Sequence, residues 1–449
     1  MKQRFAETKW LDKLITIFIV LQPVLDFLNS LAIRFLHMDL TVGMIVRILF
    51  VGVAGGYLLF VYDGKGRKLF VGSFLGICGY GALFLAGTVA RDGFGVLFTN
   101  VKMFVKMYYF LFVLLFFMAR YVKDRYVVED KTLSLVFFAY GASIFLSAIT
   151  NTSFATYDYG EGFCGWFYAG NEIGAIICAL APIAFLFAMR ARKHIVYKVL
   201  TFFLFAFASV YIGTKVPFGA CLLTVVFFMV LYLVFALRKK IKLAPLMQVL
   251  CVLLCMTVLL FAQSPLYKNT GFFTGENYEN HVENPPEETP EPGEEEDPGL
   301  DFSSHGNKLF RIANWLLSDR LVVAAPAFEA FGEANVYNQL FGMGYAFGTS
   351  GGKTFQSLIE MDFFALLINQ GILGLLLYMI PLALFAWFCI RNLFKRSASV
   401  EEQENKVAYT LSVLLLIGCA CLAGHVFTAP AVSIYLAISM VKLYGLLAK

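Results

Sequence analysis

Charge is scarce in this sequence: of 449 residues, 15% are Asp, Glu, Lys or Arg, against 59% hydrophobic and 16% aromatic. Soluble domains carry roughly 25% charged residues and mix their apolar ones at helix or strand period, so a water-soluble globular chain is excluded. The alternation of a membrane β-barrel is also missing. Runs such as 221–236 and 373–389 are apolar on every face, and such runs cross a bilayer as helices because each backbone polar group must be satisfied within the segment. A disulfide framework is absent, since eight of the nine cysteines fall in apolar runs and only Cys164 lies in a loop. His281, His305 and His425 are scattered without ligand spacing, and His37 and His194 sit near run ends, so no metal site is expected. No tandem repeat, heptad run, dinucleotide fingerprint or phosphate-binding loop occurs. No cofactor and no nucleic-acid partner are therefore expected.

What is present is a series of apolar runs, at 14–31, 40–61, 69–89, 101–119, 132–149, 171–189, 196–212, 217–237, 244–262, 370–390, 407–425 and 430–447. The first follows Lys2, Arg4, Lys9 and Lys13 like a signal peptide, but Gln22, Pro23 and Asp26 interrupt it and no small-residue cleavage site follows. The expected fold is an all-α polytopic membrane protein of about twelve helices. Its parts are nine helices over 1–262, a large loop over 263–355 and the last three helices over 356–449. Lys and Arg set the orientation: Lys65, Arg67, Lys68, then Arg120, Lys123, Arg125, then Arg190, Arg192, Lys193, then Arg238, Lys239, Lys240, Lys242, then Arg391, Lys395, Arg396 fill one alternate set of connections. That set is expected in the cytoplasm with both termini, leaving 263–355 outside. Residues 276–301 combine Pro and Glu with almost no large apolar side chains, so they cannot bury enough surface to offset the entropy of ordering. Residues 308–347 show helical spacing, with Leu309, Ile312, Leu316, Leu321, Ala325 and Phe328, and are expected to form one or two surface helices.

Several charged residues sit where a membrane makes them costly. Arg47, Lys102, Lys106 and Lys215 lie within about two turns of the loop side; mid-span each would cost roughly 2.5–3.5 kcal/mol, although near a span end it can snorkel. Lys102 and Lys106 share a helical face, being four apart, and Arg47 could instead pair with Asp26 on the first helix. Lys215 lies in a Gly213-Thr214-Lys215-Val216-Pro217 break that an ordinary turn would also explain, and Arg320 could be a solvated charge beside Asp319. Glu360, Asp362 and Glu172 stand at helix starts, where acidic residues are stabilising by about 0.3–1 kcal/mol in themselves, and Asn171 could be a helix cap. Tyr157, Tyr159, Phe163, Trp166, Phe167 and Tyr168 in one loop fit either an interfacial belt or a sugar-stacking surface.

The order Ser318-Asp319-Arg320, Phe341-Gly342-Met343-Gly344, Glu360-Met361-Asp362 and Asn369-Gln370-Gly371-Ile372-Leu373-Gly374-Leu375 resembles the O-antigen ligase and O-antigen polymerase superfamily. Gly170-Asn171-Glu172-Ile173-Gly174 is similar to that family's N-P-N stretch and Gly213-Thr214-Lys215 to its S-R stretch. Lys215 stands where the family usually has Arg, and Glu360 where it usually has His.

The resemblance implies a metal-independent glycosyltransferase of the bacterial cytoplasmic membrane. The donor would be a glycan on polyisoprenyl diphosphate, the acceptor a hydroxyl of another glycan or lipid, and the product a cell-surface polysaccharide made by polymerisation or ligation. It implies that Lys215 and Arg320 hold the diphosphate, with Lys102, Lys106 and Arg47 as further cations and Asn171 and Glu172 as substrate contacts. Glu360, and after it Asp362, would take the acceptor proton. The alternative is a transporter or flippase of lipid-linked oligosaccharide, for which internal repeats would be expected. A scaffold docking cell-envelope assembly proteins through the acidic loop is a further reading.

Overall fold

A computed structural model describes residues 2–38, 40–157, 161–191, 194–274, 320–345, 359–393 and 399–448. Among these, every regular element is helical, apart from an isolated bridge between Ala155 and Phe163. The helices are α1 (Lys2–Val20), α2 (Gln22–Leu36), α3 (Val42–Gly56, continued by a π-turn over Tyr57–Val61), α4 (Arg67–Asp92), α5 (Leu97–Asp124), α6 (Asp130–Ile149), α7 (Gly170–Arg190) and α8 (Ile195–Tyr211). They continue as α9 (Lys215–Leu237), α10 (Ala244–Phe261), α11 (Pro265–Thr274), α12 (Arg320–Glu333), α13 (Val336–Phe341), α14 (Asp362–Asn392), α15 (Val400–Leu422) and α16 (Pro430–Leu447). Ten helices are long and apolar enough to cross a membrane among the described residues, or eleven when the bent α1–α2 pair counts as one span. The predicted run 196–212 forms as the shorter apolar α8, of 17 residues. The chain is an all-α polytopic membrane protein.

Two predicted spans take a different shape. The run 14–31 is bent by 46° between Val20 and Gln22, where Pro23 stands in the first turn of α2 and cannot continue the ladder of α1. The run 370–390 begins earlier, at Asp362, and is broken at Gly371, whose φ of 68° and ψ of −176° no helix contains. Of the loop helices expected over 308–347, α12 and α13 are formed; Leu309, Ile312 and Leu316, and the whole of 276–301, lie outside the described residues.

The centre of the bundle is α7, α16 and α5, buried over 89%, 78% and 61% of their most apolar stretches, whereas α10 and α14 are buried over only 17% and 11%. The inner helices therefore meet protein and the outer ones present Leu, Ile and Phe to lipid. Small residues in α7 (GAIICALAPIA) let neighbours approach closely. Ser412 of α15 donates to the Ala179 carbonyl of α7 at 2.6 Å and lies 2.9 Å from Ser439 of α16, which ties the three helices where no water can compete. The alternating chain leaves two ends: a loop end, carrying α11 to α13 and the starts of α5, α7, α9, α14 and α16, and an opposite end rich in Lys and Arg.

Candidate functional site

The loop end is assembled around the break at Gly371. Breaking a helix frees carbonyls that must find donors. Here the Met343 and Gly344 amides donate to the Ile368 and Asn369 carbonyls at 2.9 and 3.1 Å. Tyr80 of α4 donates to the Gln370 carbonyl at 2.5 Å. Gly342 (φ 93°) and Gly371 are in backbone contact, each leaving no room for a Cβ against the other's segment. The Phe341–Gly344 and Asn369–Leu375 stretches, remote in sequence, are thus one interlocked piece. Arg91 at the end of α4 fastens it further, donating to the Met343 carbonyl at 2.5 Å and to Asn338 Oδ1 at 3.0 Å. Asn100 of α5 accepts from the Tyr345 amide at 2.8 Å. Burial, with the Asp362 charge nearby, holds the Tyr345 phenol far above its ordinary range despite the opposing effect of Gln370, so it stays a neutral donor.

Asp362 opens α14 and is fully buried. Its carboxylate accepts from the Val426 and Phe427 amides at 2.7 and 2.8 Å and from the Thr428 hydroxyl at 3.1 Å. It therefore clasps the loop 423–429 between α15 and α16. Gly424 in that loop (φ 73°) lies against the Glu360 carbonyl with no space for a side chain. Glu360 itself is half-buried. Phe427 stacks in a cluster with Phe363, Tyr378 and Phe110, at centroid distances of 5.3, 4.8 and 5.4 Å.

Phe110 belongs to α5, one turn beyond Lys106 and two beyond Lys102, so all three share one helical face. The clasped loop and the start of α14 thus rest on the face of α5 that carries both lysines. The charges of Glu172, Lys102 and Arg47 all act on the Lys106 ammonium, which places the start of α7 and the middle of α3 beside it. Among the described residues neither Lys102 nor Lys106 closes an ion pair, and both keep partial solvent access. Arg47 is different: it meets Asp26 at 2.5 Å and Gln22 Oε1 at 2.8 and 3.0 Å, while Tyr140 donates to the other Asp26 oxygen at 2.5 Å. Removing one member of such a buried pair costs about 3–5 kcal/mol.

Lys215 is exposed as the first residue of α9. Its turn is built by neighbours: the carbonyl of Gly213 (φ 82°) accepts from Asn269 Nδ2 of α11 at 3.0 Å, and Asn269 is bonded both ways to the Glu161 backbone. Gly174 of α7 packs against Pro217, two residues after Lys215, so the start of α7, with Asn171 and Glu172, lies beside the start of α9. Arg320 is the first residue of α12, its side chain outside the described residues. Further along, Phe328 of α12 meets Phe364 of α14 edge-on at 4.8 Å, which lays α12 over the start of α14.

The aromatic loop packs on its own surroundings. Phe167 is buried against Tyr140, Phe163 stacks on Tyr211, and Trp166 donates to Thr152 at 2.8 Å. Arg34 is set over the Phe154 and Tyr168 rings; Tyr159 lies outside the described residues. Cys164 lies buried among three carbonyls, and burial pushes its thiol up to about 11. It therefore stays a neutral thiol at ordinary pH.

Sequence reasoning missed His425, Tyr345 and Asn100, which reach the site only through chain reversals. Gly424 beside His425 is the one local signal, since a glycine in a short interhelical loop marks a left-handed turn. Among the described residues no three His, Cys, Asp or Glu side chains gather as metal ligands.

No curated protein matches the chain. The family described as O-antigen ligase like membrane protein matches residues 8–448, which include every helix from α2 to α16 and all the candidate residues above. The chain therefore belongs to the O-antigen ligase-like membrane proteins, a family of membrane enzymes that ligate or polymerise glycans.

Proposed function

We propose that the protein transfers a glycan from a polyisoprenyl-diphosphate donor to a hydroxyl of a glycan or lipid acceptor, at the outer face of a bacterial cytoplasmic membrane. The observation that carries this reading is the pair of ammonium groups on α5, Lys102 and Lys106, with the Glu172 charge acting on Lys106, on the helix whose Phe110 also meets Phe427 of the loop that touches the Glu360 backbone. In the transfer the bond from the sugar's anomeric carbon to the diphosphate oxygen breaks, its electron pair leaving on that oxygen. The acceptor oxygen forms the new bond and gives up its proton. Cations matched to the charge that grows on the leaving group stabilise the transition state more than the ground state. Lys106, Lys102 and Lys215 fill that role here, with Arg320 added from α12; Asn171 and Glu172 position the donor between them. Arg47 supports the site from below, its charge balanced by Asp26. Glu360 meets the acceptor hydroxyl, while Asp362, with its oxygens engaged by the 423–429 loop, holds the geometry.

The Lys and Arg excess at the opposite end supports an orientation with both termini in the cytoplasm. A cysteine at Glu295 is then labelled by an impermeant thiol reagent in intact cells and one at Lys240 is not. The decisive experiment supplies the purified protein, in liposomes, with a polyprenyl-diphosphate oligosaccharide and no nucleotide. Formation of a new glycosidic bond with release of polyprenyl diphosphate is expected. Movement of the lipid across the bilayer without a new bond would make it a transporter, and neither outcome would make it a scaffold.

A further inference from the structure

We infer that His425 is the group that takes the acceptor's proton, with Glu360 orienting the hydroxyl and Asp362 fixing the imidazole. This rests on the proposed transfer and names the part of the site that receives the proton.

Three independent observations meet at this residue. Its backbone is left-handed, at φ 60°, a conformation that most side-chain-bearing residues avoid and that His adopts more readily than most. Its Nε2 is buried and meets no hydrogen-bond partner among the described residues, although buried ring nitrogens are nearly always satisfied. Its loop is pinned by the three hydrogen bonds to Asp362, and the Asp362 charge acts on the imidazole. A loop pinned at three points that leaves a buried ring nitrogen without a partner is poorly explained by packing alone. A proton acceptor needs this arrangement: a fixed lone pair, and a buried negative charge close enough to stabilise the imidazolium once formed.

The setting fits. Gly424 brings the loop into contact with the Glu360 backbone, and Phe427, two residues on, rests on the lysine-bearing face of α5. The titratable groups around the imidazole are Glu360 and Asp362 at the start of α14, with Tyr345, Tyr378 and Cys421 in electrostatic reach of Asp362. Of the other described histidines, His37 is exposed at the end of α2 and His194 lies at the opposite end of the bundle. The step balances: the acceptor O–H proton moves to Nε2, the oxygen's electron pair forms the bond to the anomeric carbon, and the diphosphate leaves with the pair of the broken bond.

The test uses the full-length protein in liposomes. His425→Gly suits the positive φ and removes the ring, and His425→Asn also tolerates it. Transfer is expected to fall about 10²–10⁴-fold in both, with donor binding unchanged. Added imidazole is expected to restore part of the His425→Gly rate. The wild-type rate is expected to fall toward acid pH, as an imidazole that gains a proton can no longer accept one, and this acid limb is expected to vanish in His425→Asn. Near-wild-type transfer in the variants overturns the proposal, and so does loss without imidazole rescue and with the acid limb intact. So does a loss of about 10²–10⁴-fold in Glu360→Gln that also removes the acid limb, since it moves the proton to Glu360. If the wild-type protein itself forms no glycosidic bond, the proposed transfer fails, which is separate from any result on His425.

Discussion

The paired cations at the opposite end of the bundle and the two lysines of α5 differ in what neutralises them, although Arg47, Arg91 and Lys268 at the loop end are paired as well. At the opposite end, cations are closed into pairs. Arg120 meets Asp12 at 2.5 Å and also Asp124, Arg190 meets Glu404 at 2.7 Å, and Lys442 meets Asp130 at 2.8 Å, with Tyr409 donating to the same carboxylate. At the loop end, Lys102 and Lys106 stand beside one another, and Lys106 feels Glu172, without either closing an ion pair among the described residues. Like charges held together at a membrane boundary raise the energy of the empty protein, and an anion brought between them lowers it. The lesson is that a cation's use is read from what already neutralises it. The pairs stitch helix ends together, whereas the lysines of α5 keep their attraction for a substrate.

The sharpest way to break this contrast is to remove the cations of the loop end. Lys106→Ala and Lys215→Ala are each expected to lower transfer by about 10²–10³-fold while leaving the thermal midpoint in detergent unchanged. Arg320→Ala is expected to act in the same direction. Lys215→Arg keeps the charge and adds a planar fork that can bind an anion through two parallel N–H groups, so it is expected to retain most activity. If all three alanine variants turn over normally at wild-type abundance, the diphosphate binds elsewhere.

A second experiment attacks geometry instead of charge. Gly424→Ala drives a Cβ into the Glu360 carbonyl and is expected to cost transfer about 10²-fold, since displacements near 1 Å at a reacting centre have that effect. Gly52→Ala, where an added Cβ meets open space, serves as the control and is expected to transfer normally. Equal rates for the two would show that the contact of Gly424 with Glu360 has no bearing on catalysis.

Arg190→Ala at the opposite end is expected to reverse the pattern. The half-buried pair with Glu404 contributes about 0.5–1 kcal/mol, so the melting midpoint should drop slightly while transfer stays within about twofold of wild type. A large loss of transfer with no loss of stability would erase the distinction between the ends. The smallest effect is expected from deleting 285–297, a stretch of Pro and Glu without apolar side chains to pack; insertion and transfer are both expected to persist, as membrane fractionation and the liposome assay would show.

Composition and apolar runs determined the class of fold, the approximate helix boundaries and the two-ended distribution of Lys and Arg. These follow from the bilayer, which demands long apolar segments with internally satisfied backbones whatever their neighbours are. Residue order also carried the family resemblance, including the Gly342–Gly344 and Asn369–Leu375 stretches. The sequence alone could not say that these two stretches interlock, because the carbonyls freed at Gly371 find their donors in a segment some 25 residues earlier. Nor could it choose between snorkelling and a buried pair for Arg47; that depended on α2 bending at Pro23 so that Gln22 and Asp26 face α3. The same holds for Asp362 and His425. In sequence they are 63 positions apart and share no motif, and only the packing of α14 against the α15–α16 loop places a carboxylate on three loop donors and in electrostatic reach of an imidazole. Hydrophobic pattern is local and additive along the chain, whereas a site's electrostatics depends on which remote charges the fold brings within a few ångströms.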